Sequence, residues 1–177
     1  MSGVTIHSEH PFLDPGGDRR PARRLRGRLP APVTVWTSVH EGEPAGLTVS
    51  SLLVADGEPA RLLCLLDEES ELWPVLRDSG RAAVSVLGPD DRTLADVFAG
   101  VAPSPGGAFR TGEWTDTDWG PVVVGRAWAG GRLVGAPRPV GWPLLVELEL
   151  EHIDLSTGAD QAALAYRRGR YLCLPDD

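Results

Sequence analysis

The chain has 177 residues and a formal net charge of −8, with 42% hydrophobic and 24% charged residues. This length suits one domain with a sizeable core and leaves little room for a second. The negative charge argues against general nucleic-acid binding, and no apolar run reaches the roughly 18 residues of a membrane span. The N-terminus lacks a basic region followed by an apolar one, so we expect no secretion signal, no membrane partner and a cytoplasmic protein.

The N-terminal segment predicts an irregular lead-in over residues 1–29, ahead of a domain that spans 30–177. Prolines and glycines interrupt its first half, and the arginine-rich stretch RRPARRLRGR follows. Those arginines could form an arm for a polyanion, but a solvated helical or extended segment is the more common interpretation of such a charge run. Leu25 and Leu29 give the stretch a thin apolar face, which we expect to dock on the domain.

β-Branched and apolar residues predict three consecutive strands in the first half of the domain. The predicted strands are 30–39, 46–55 and 60–66, separated by turns at 41–44 and 56–59. Such short connections imply hairpins and therefore antiparallel pairing. Helical spacing and helix-terminal residues then predict two short helices with a fourth strand between them. These elements are 68–79, 81–88 and 90–99.

The second half predicts a long loop and more strands. No strong period is present from about Val101 to Gly120, and a structureless stretch of this length in a small domain is usually functional or ordered by a partner. Further strands are predicted near 121–129, 131–137, 143–155, 161–166 and 170–174. So many strands indicate an all-β fold, an antiparallel barrel that is closed or partly open, with short helices at its ends.

Standard enzyme motifs are absent from the sequence. It holds no G-x-G-x-x-G, phosphate-loop, C-x-x-C, H-E-x-x-H or G-x-S-x-G pattern, and its four histidines show no metal-ligand spacing. Cys64 and Cys173 lie far apart and are expected to be free thiols. We therefore expect no metal site, and an enzyme built on this chain would depend on a bound cofactor for the difficult chemistry.

Hydroxyl residues interrupt the second predicted strand. In AGLTVSS, Gly46 permits close backbone approach, while Thr48, Ser50 and Ser51 disturb the alternation of apolar and polar residues. A buried hydroxyl without a partner costs about 1–3 kcal/mol, so each must bond to the backbone or to a polar ligand. Of these two we favour the ligand. Ser70, in DEES before the first predicted helix, could cap that helix or help its free N–H groups to hold a phosphate.

The order of these motifs resembles the flavin reductase-like family. The most specific parts are GLTVSS after a PVTV strand and LADVFAG at a matching separation, and the similarity runs from about Pro30 to Leu174. The resemblance implies an FMN-binding split barrel that forms a homodimer, with FAD or another flavin as an alternative ligand near the interface. It implies hydride transfer from NAD(P)H to flavin N5. It also implies that the protein could be the reductase component that supplies a monooxygenase partner.

The same resemblance assigns a set of cofactor-binding residues. The second strand would line the isoalloxazine ring and ribityl chain, and the third strand would lead to the phosphate end. Phe98 would end the family's helix, and Phe109 would approach the flavin from the partner subunit. The full set is Gly46, Thr48, Val49, Ser50, Ser51, Cys64, Leu65, Leu66, Ser70, Phe98 and Phe109. No catalytic residue is assigned.

Two other functions stay open at the level of sequence. Leu72 stands where the family commonly has a threonine, and Trp142 follows a glycine where many members have a histidine. These differences favour a binding protein for FMN, deazaflavin or haem that does not oxidise a nicotinamide, since split barrels host several cofactors. An interaction domain with a degenerate pocket and no cofactor is the third possibility.

Overall fold

The computed structural model describes residues 21–155 and 162–174, so the predicted irregular segment over residues 1–18 lies outside the described residues. The α-helices are α1 Pro21–Arg26, α2 Leu72–Ser79 and α3 Arg92–Phe98, and two 3₁₀ helices are Pro89–Asp91 and Ala108–Arg110. The strands are β1 Ala31–Pro32, β2 Thr34–His40, β3 Glu43–Val49, β4 Leu52–Ala55, β5 Arg61–Leu66, β6 Arg81–Val86, β7 Trp114–Thr115, β8 Val122–Val123, β9 Trp128–Leu133, β10 Arg138–Pro139, β11 Leu144–Asp154, β12 Ala163–Arg167 and β13 Arg170–Leu174. None of the described helices is long and apolar enough to cross a membrane.

The main sheet curls until its two edges meet. Its strand order is β3-β2-β6-β9-β11-β5-β4, every pair is antiparallel, and β10 adds to β11. β3 and β4 are the opposite edges of this order, although only Ser50 and Ser51 separate them in sequence. Three residue steps span at most about 11 Å, so the edges have to lie side by side at this link. The predicted all-β antiparallel split barrel is confirmed.

The inside of the curled sheet is a hydrophobic core. Alternate residues of β5 face inward, so Cys64 and Leu66 are fully buried, and the register places Val146 of β11 opposite Cys64. Trp36 of β2 lies at the centre, and α2 closes the core with its apolar face. Burying each such side chain stabilises the fold by about 1.5–3 kcal/mol.

A second core lies on the outer face of β2 and β6. The apolar residues of α3, including Phe98, pack there against Val35 and against Leu164 of the small sheet β1-β12-β13. The hydroxyl of Tyr171 in β13 donates a hydrogen bond of 2.6 Å to the carboxylate of Asp96 in α3. The small sheet and α3 are therefore tied together on one side of the barrel.

Both helices predicted for the domain are confirmed, with later starts. α2 begins at Leu72, and Pro74 falls in its first turn, where the missing N–H has no intrahelical acceptor to lose. Gly80 ends α2 with a φ of 69° and donates to the carbonyl of Leu76 at 2.8 Å, as a left-handed C-terminal residue does. α3 follows a 3₁₀ turn and ends at Phe98.

The predicted strand over 46–55 is wrong as one strand. It divides at Ser50–Ser51 into β3 and β4, because the edge of the sheet is crossed at this point. β3 begins at Glu43, so the turn shrinks to Glu41–Gly42, whose φ values of 51° and 83° are those of a two-residue hairpin turn. Pro44 is tolerated because β3 is an edge strand. The predicted strand 30–39 is likewise divided into β1 and β2.

The predicted strands 121–129 and 131–137 are also wrong. Only β8 lies early in this region, and β9 runs across the expected gap at Gly130. Gly130 and Gly131 allow close packing inside this strand. A Cβ on Gly130 would collide with the indole of Trp119, and one on Gly131 would lie 2.5 Å from the carbonyl oxygen of Glu149.

The long loop predicted after α3 is present and is fixed to the outer face of the barrel. The hydroxyl of Thr37 donates to the carbonyl of Pro121 at 2.6 Å, and the amide of Val123 donates to the hydroxyl of Ser85 at 3.1 Å. Gly120 sits against Thr37 with a φ of 138°, which leaves no room for a side chain. The loop therefore acts as a layer over β2 and β6.

The lead-in forms α1, but the expected docking of its leucines is wrong. Leu25 and Leu29 are 62% and 59% exposed. Backbone groups hold the segment instead. The carbonyl of Gly27 accepts a hydrogen bond of 2.9 Å from the amide of Arg168, at the turn between β12 and β13.

Candidate functional site

The Ser50–Ser51 link leaves backbone groups unpaired because it belongs to neither edge of the sheet. The carbonyl of Ser51 accepts from the amide of Leu65 at 3.0 Å. The amides of Ser50 and Ser51 have no backbone acceptor among the described residues, and within that part of the chain the hydroxyl of Ser50 makes no hydrogen bond. Both serines are half-buried. A ligand with hydrogen-bond acceptors can satisfy these donors.

The other hydroxyls of this segment already donate to the backbone. Thr48 donates to the carbonyl of Ala95 in α3 at 2.8 Å, and Ser51 donates to the carbonyl of Leu65 at 2.9 Å. The sequence allowed a backbone or a ligand partner and we favoured the ligand, whereas the structure gives both groups backbone acceptors. Thr48 links β3 to α3, and Ser51 links the two edges of the sheet.

Gly46 provides space for an aromatic ring. A Cβ at this position would lie 2.5 Å from Cε1 and 2.8 Å from Cδ1 of Phe98. Phe98 in turn packs with Phe109 and Trp114, with ring centroids 5.0–5.3 Å apart. The close approach at Gly46 is made by a side chain of the same chain, at the end of α3. Phe109 belongs to this cluster within its own chain.

The buried members of the predicted set can offer a ligand only their backbone. The side chains of Val49, Cys64 and Leu66 lie in the core of the barrel. Burial raises the pKa of the Cys64 thiol to about 12, so the thiol stays protonated at neutral pH. Leu65 points the other way and is 37% exposed, beside the Ser50–Ser51 link.

Ser70 lies in a tight turn before α2. Its hydroxyl donates to the carbonyl of Asp67 at 2.6 Å, and the carboxylate of Asp67 accepts from the amide of Glu69 at 3.0 Å. The N-cap residue of α2, Glu71, makes no side-chain capping bond. The acidic side chains of Glu68 and Glu69 are exposed, so water screens their charge.

An ion pair that the sequence did not indicate holds the start of α3. Arg126 and Asp91 form a bidentate pair, with Nε–Oδ2 at 2.5 Å and Nη2–Oδ1 at 3.0 Å, and Asp91 also accepts from the amide of Gly88. The hydrogen bond to Asp91 raises the pKa of Arg126. The partners are 35 residues apart and neither belongs to a motif, so no local signal could have found them. Through α3 the pair supports the positions of Thr48 and Phe98.

The predicted wet face of the long strand β11 carries an ion-pair ladder. Glu149 contacts Arg61 of β5 at 2.8 Å and Arg132 of β9 at 2.5 Å. Beside it, the ring of His152 stacks on Trp119 and on Trp128 with centroids 5.5 and 4.5 Å apart, and the two indoles are tilted at 6.0 Å. These contacts brace the outer face of the sheet. In residues 21–155 and 162–174, no three His, Cys, Asp or Glu side chains converge as metal ligands.

The geometry of the link fits a flavin. A flavin ring presents several hydrogen-bond acceptors along one edge and apolar faces, and the link supplies the free amides of Ser50 and Ser51 beside the exposed Leu65. The amide of Glu71, an exposed residue just before α2, also lacks a backbone acceptor among the described residues, so it is available to a phosphate. The residues present can therefore supply donors both to a ring and to a phosphate.

Comparison with known proteins agrees with this geometry. The profile of the family described as "Flavin reductase like domain" matches residues 26–174. FMN reductase (NADH) RutF of Ancylobacter novellus is 28% identical over 158 residues, which cover 89% of this chain and 86% of that protein. The reductase component of the FADH(2)-dependent resorcinol hydroxylase of Rhizobium sp. is 34% identical over 119 residues, 66% of each chain.

A solved structure supports the same conclusion for the fold. The flavin reductase PheA2 in its native state superposes with a TM-score of 0.79 at 23% identity, covering 90% of this chain and 100% of that one. The superposition extends over the whole of the other protein, so the likeness is not confined to one motif. By its fold and by its sequence, this chain belongs to the flavin reductase-like family.

Proposed function

We propose that the chain is an NAD(P)H:flavin oxidoreductase that binds FMN at the Ser50–Ser51 link. The observation that carries the proposal is the set of unpaired donors at this link in a chain of this family. The names of two relatives support flavin and nicotinamide use, since one gives FMN and NADH and the other gives FADH(2). FMN is our choice because the free amide before α2 suits a terminal phosphate.

The residues of the chain would bind and orient the flavin, and the flavin would supply the redox chemistry. A bound flavin supplies a hydride acceptor at N5 for reduced nicotinamide. The amides of Ser50 and Ser51 donate to the acceptor edge of the ring, and the Ser50 hydroxyl adds a neutral hydrogen bond. Leu65 would contribute apolar surface, and the amide of Glu71 would be a donor for the phosphate end.

Steady-state oxidation of nicotinamide tests the activity. The purified protein is mixed with NADH or NADPH and with FMN, FAD or riboflavin, and the nicotinamide absorbance is followed. We expect oxidation that depends on added flavin, with FMN the best of the three. Rates at the protein-free background with all three flavins and both nicotinamides would remove the proposed activity.

Ser50 and Thr48 have separable roles in binding and folding. Ser50→Ala removes a hydroxyl that bonds no described residue, so we expect a flavin dissociation constant about three- to tenfold higher at an unchanged apo melting temperature. Thr48→Val removes one of the two hydrogen bonds that the Ala95 carbonyl accepts and leaves the one from the amide of Ala99, so we expect it to lower the free energy of unfolding by about 0.5–1.5 kcal/mol. Fluorescence titration and thermal melts of both variants measure this. The reverse pattern would contradict the assignment of Ser50 to the ligand.

We also propose that the protein is a homodimer and that the flavin lies near the interface. An apolar face lies on the outside of the sheet beside the Ser50–Ser51 link, where Leu53 of β4 is 73% exposed. The register places Leu53 opposite Leu63 and Leu65 opposite Leu145, so these four side chains share one face. Exposed leucines in such a cluster favour association, and a second copy over them would also cover the link.

The proposed partner in metabolism is a monooxygenase that uses the reduced flavin. The name of the Rhizobium relative identifies it as a reductase component. On this proposal reduced flavin leaves the protein as product.

A further inference from the structure

Seven arginines from the two ends of the described chain lie on one surface. Four are on α1 and the residues that follow it, and three are at the turn between β12 and β13. This arginine-rich surface consists of Arg23, Arg24, Arg26, Arg28, Arg167, Arg168 and Arg170. Two contacts join its halves, from the amide of Arg168 to the carbonyl of Gly27 at 2.9 Å and from Nε of Arg167 to the carbonyl of Arg28 at 3.0 Å.

Four arginines of this surface form no ion pair within the part of the chain that the structure describes. No ion pair between described residues involves Arg24, Arg28, Arg168 or Arg170, and all four side chains are exposed. Like charges held this close repel each other, which opposes the docking of α1 on the hairpin. The protein as a whole carries a net charge of −8. The arginine-rich surface is therefore a positively charged region on a negatively charged protein.

The turn between β12 and β13 has an arginine at a position where the backbone conformation favours asparagine. Arg168 and Gly169 are the two central residues of the turn, with φ values of 52° and 78°. Asparagine is preferred over a long side chain at the first of these positions in a two-residue hairpin turn. Arg168 therefore keeps its guanidinium group in the turn although its positive φ is unfavourable for a long side chain.

Apolar groups accompany the arginines. Leu25 and Leu172 are exposed beside them, and a shallow pocket of about 390 Å³ is lined by Arg167, Arg168, Arg170 and Leu172. Arginine beside exposed leucine is the composition of a protein-binding surface, since arginine is enriched at interfaces and carboxylates bind its guanidinium group bidentately. We propose that this surface docks a partner protein whose facing residues are acidic with apolar residues among them.

On the proposed function, the partner is the monooxygenase that consumes the reduced flavin. This identification rests on the proposed function, whereas the charge complementarity does not. An acidic partner would be repelled by most of this negatively charged protein and attracted by the arginine-rich surface. Electrostatic forces would therefore orient the partner towards that surface as it approaches. Docking would bring the monooxygenase to the reductase while the flavin is still reduced.

The test uses a labelled peptide of glutamates interspersed with leucines as probe, with fluorescence anisotropy as readout. The test variant is Arg168→Asn with Arg170→Gln, and it spares Arg167 because that residue holds the carbonyl of Arg28. The matched control removes the same charge at exposed sites elsewhere, with Arg77→Gln and Arg81→Gln. Melting temperatures show that all three proteins are folded, and Arg168→Asn is expected to keep or raise this temperature.

We expect the wild type and the control to bind the peptide equally, with affinity that falls as salt rises, and the test variant to bind about fivefold more weakly. Equal weakening in both variants would overturn the proposal. Tighter binding of phosphatidylglycerol vesicles or of a DNA duplex than of the peptide would overturn it too, in favour of a lipid or nucleic-acid occupant. Nicotinamide oxidation is measured in parallel without peptide. Loss of this activity would contradict the proposed function and would not affect the docking proposal.

Discussion

We expect Gly46→Ala to lower the free energy of unfolding by about 1–3 kcal/mol and to weaken flavin binding, because the core beside β3 is already full. The new Cβ would lie 2.5 Å from the ring of Phe98 and 3.2 Å from the carbonyl oxygen of Trp36. The backbone oxygen belongs to the neighbouring strand and cannot move easily, so Phe98 has to yield. Moving Phe98 shifts the end of α3, and the bond from Thr48 to α3 then lengthens.

A second substitution identifies the cause. Phe98→Leu alone should be destabilising, but the double variant Gly46→Ala/Phe98→Leu should be more stable than the sum of the single effects predicts, because the smaller side chain clears the collision. Gly57→Ala is the control, since its nearest contact would be an ordinary 3.7 Å to the carbonyl of Pro59. Denaturant unfolding of the four proteins measures these energies. Strict additivity would show that Gly46 and Phe98 do not pack as described.

If the proposed homodimer forms through this face, Leu53→Glu should convert it into a monomer. The substitution places a charge in the middle of the apolar face, where a second copy would have to desolvate it, and this costs several kcal/mol if the charge stays unpaired. The side chain is largely exposed in the single chain, so the fold of the monomer should not suffer. Sedimentation velocity of wild type and variant measures the change, and flavin affinity should fall with it.

Val101→Glu is the matched control for the dimer, because Val101 is as exposed as Leu53 but lies in the loop after α3. It introduces the same charge and should leave the dimer intact. A monomeric wild type at the concentrations used in the assay, or a Leu53→Glu variant that sediments as a dimer, would count against the proposed interface.

The elements best predicted from the sequence are those that local signals define. β13 has the predicted bounds of 170–174, and β11 differs from its prediction by one residue at each end, because a long alternation of apolar and polar residues is visible without tertiary information. The end of α3 and the glycine that terminates α2 follow from helix-terminal chemistry in the same way. The resemblance to the family then supplied the split-barrel fold, which local signals do not specify.

The errors come from contacts between distant parts of the chain. The predicted strands 121–129 and 131–137 are divided at Gly130, because the sequence does not show that Trp119 packs against this glycine or that the backbone of β11 packs against Gly131. Nothing local marks Ser50–Ser51 as the crossing between two sheet edges, since the surrounding residues favour a strand on both sides. Neither Arg126 nor Asp91 carries a pattern, so their pairing depends on the fold itself.

Part of the candidate site was predictable and part was not. The motif around Thr48 and Ser51 marked the right segment, but the acceptors of their hydroxyls are carbonyls of Ala95 and Leu65, which the sequence does not bring together. Ser50 differs from its neighbours because its hydroxyl lacks a partner among the described residues. Only the fold separates a hydroxyl that holds the barrel together from one that is free for a ligand.

The central claim is that this chain passes a hydride from reduced nicotinamide to a flavin held at the Ser50–Ser51 link. Anaerobic mixing of the FMN-loaded protein with excess NADH or NADPH, followed through the visible absorbance of the flavin, tests it most directly. We predict rapid bleaching in the wild type, and in Ser50→Ala the same bleaching only at about three- to tenfold higher FMN concentration. Bleaching no faster than with free FMN, for both nicotinamides, would contradict the claim.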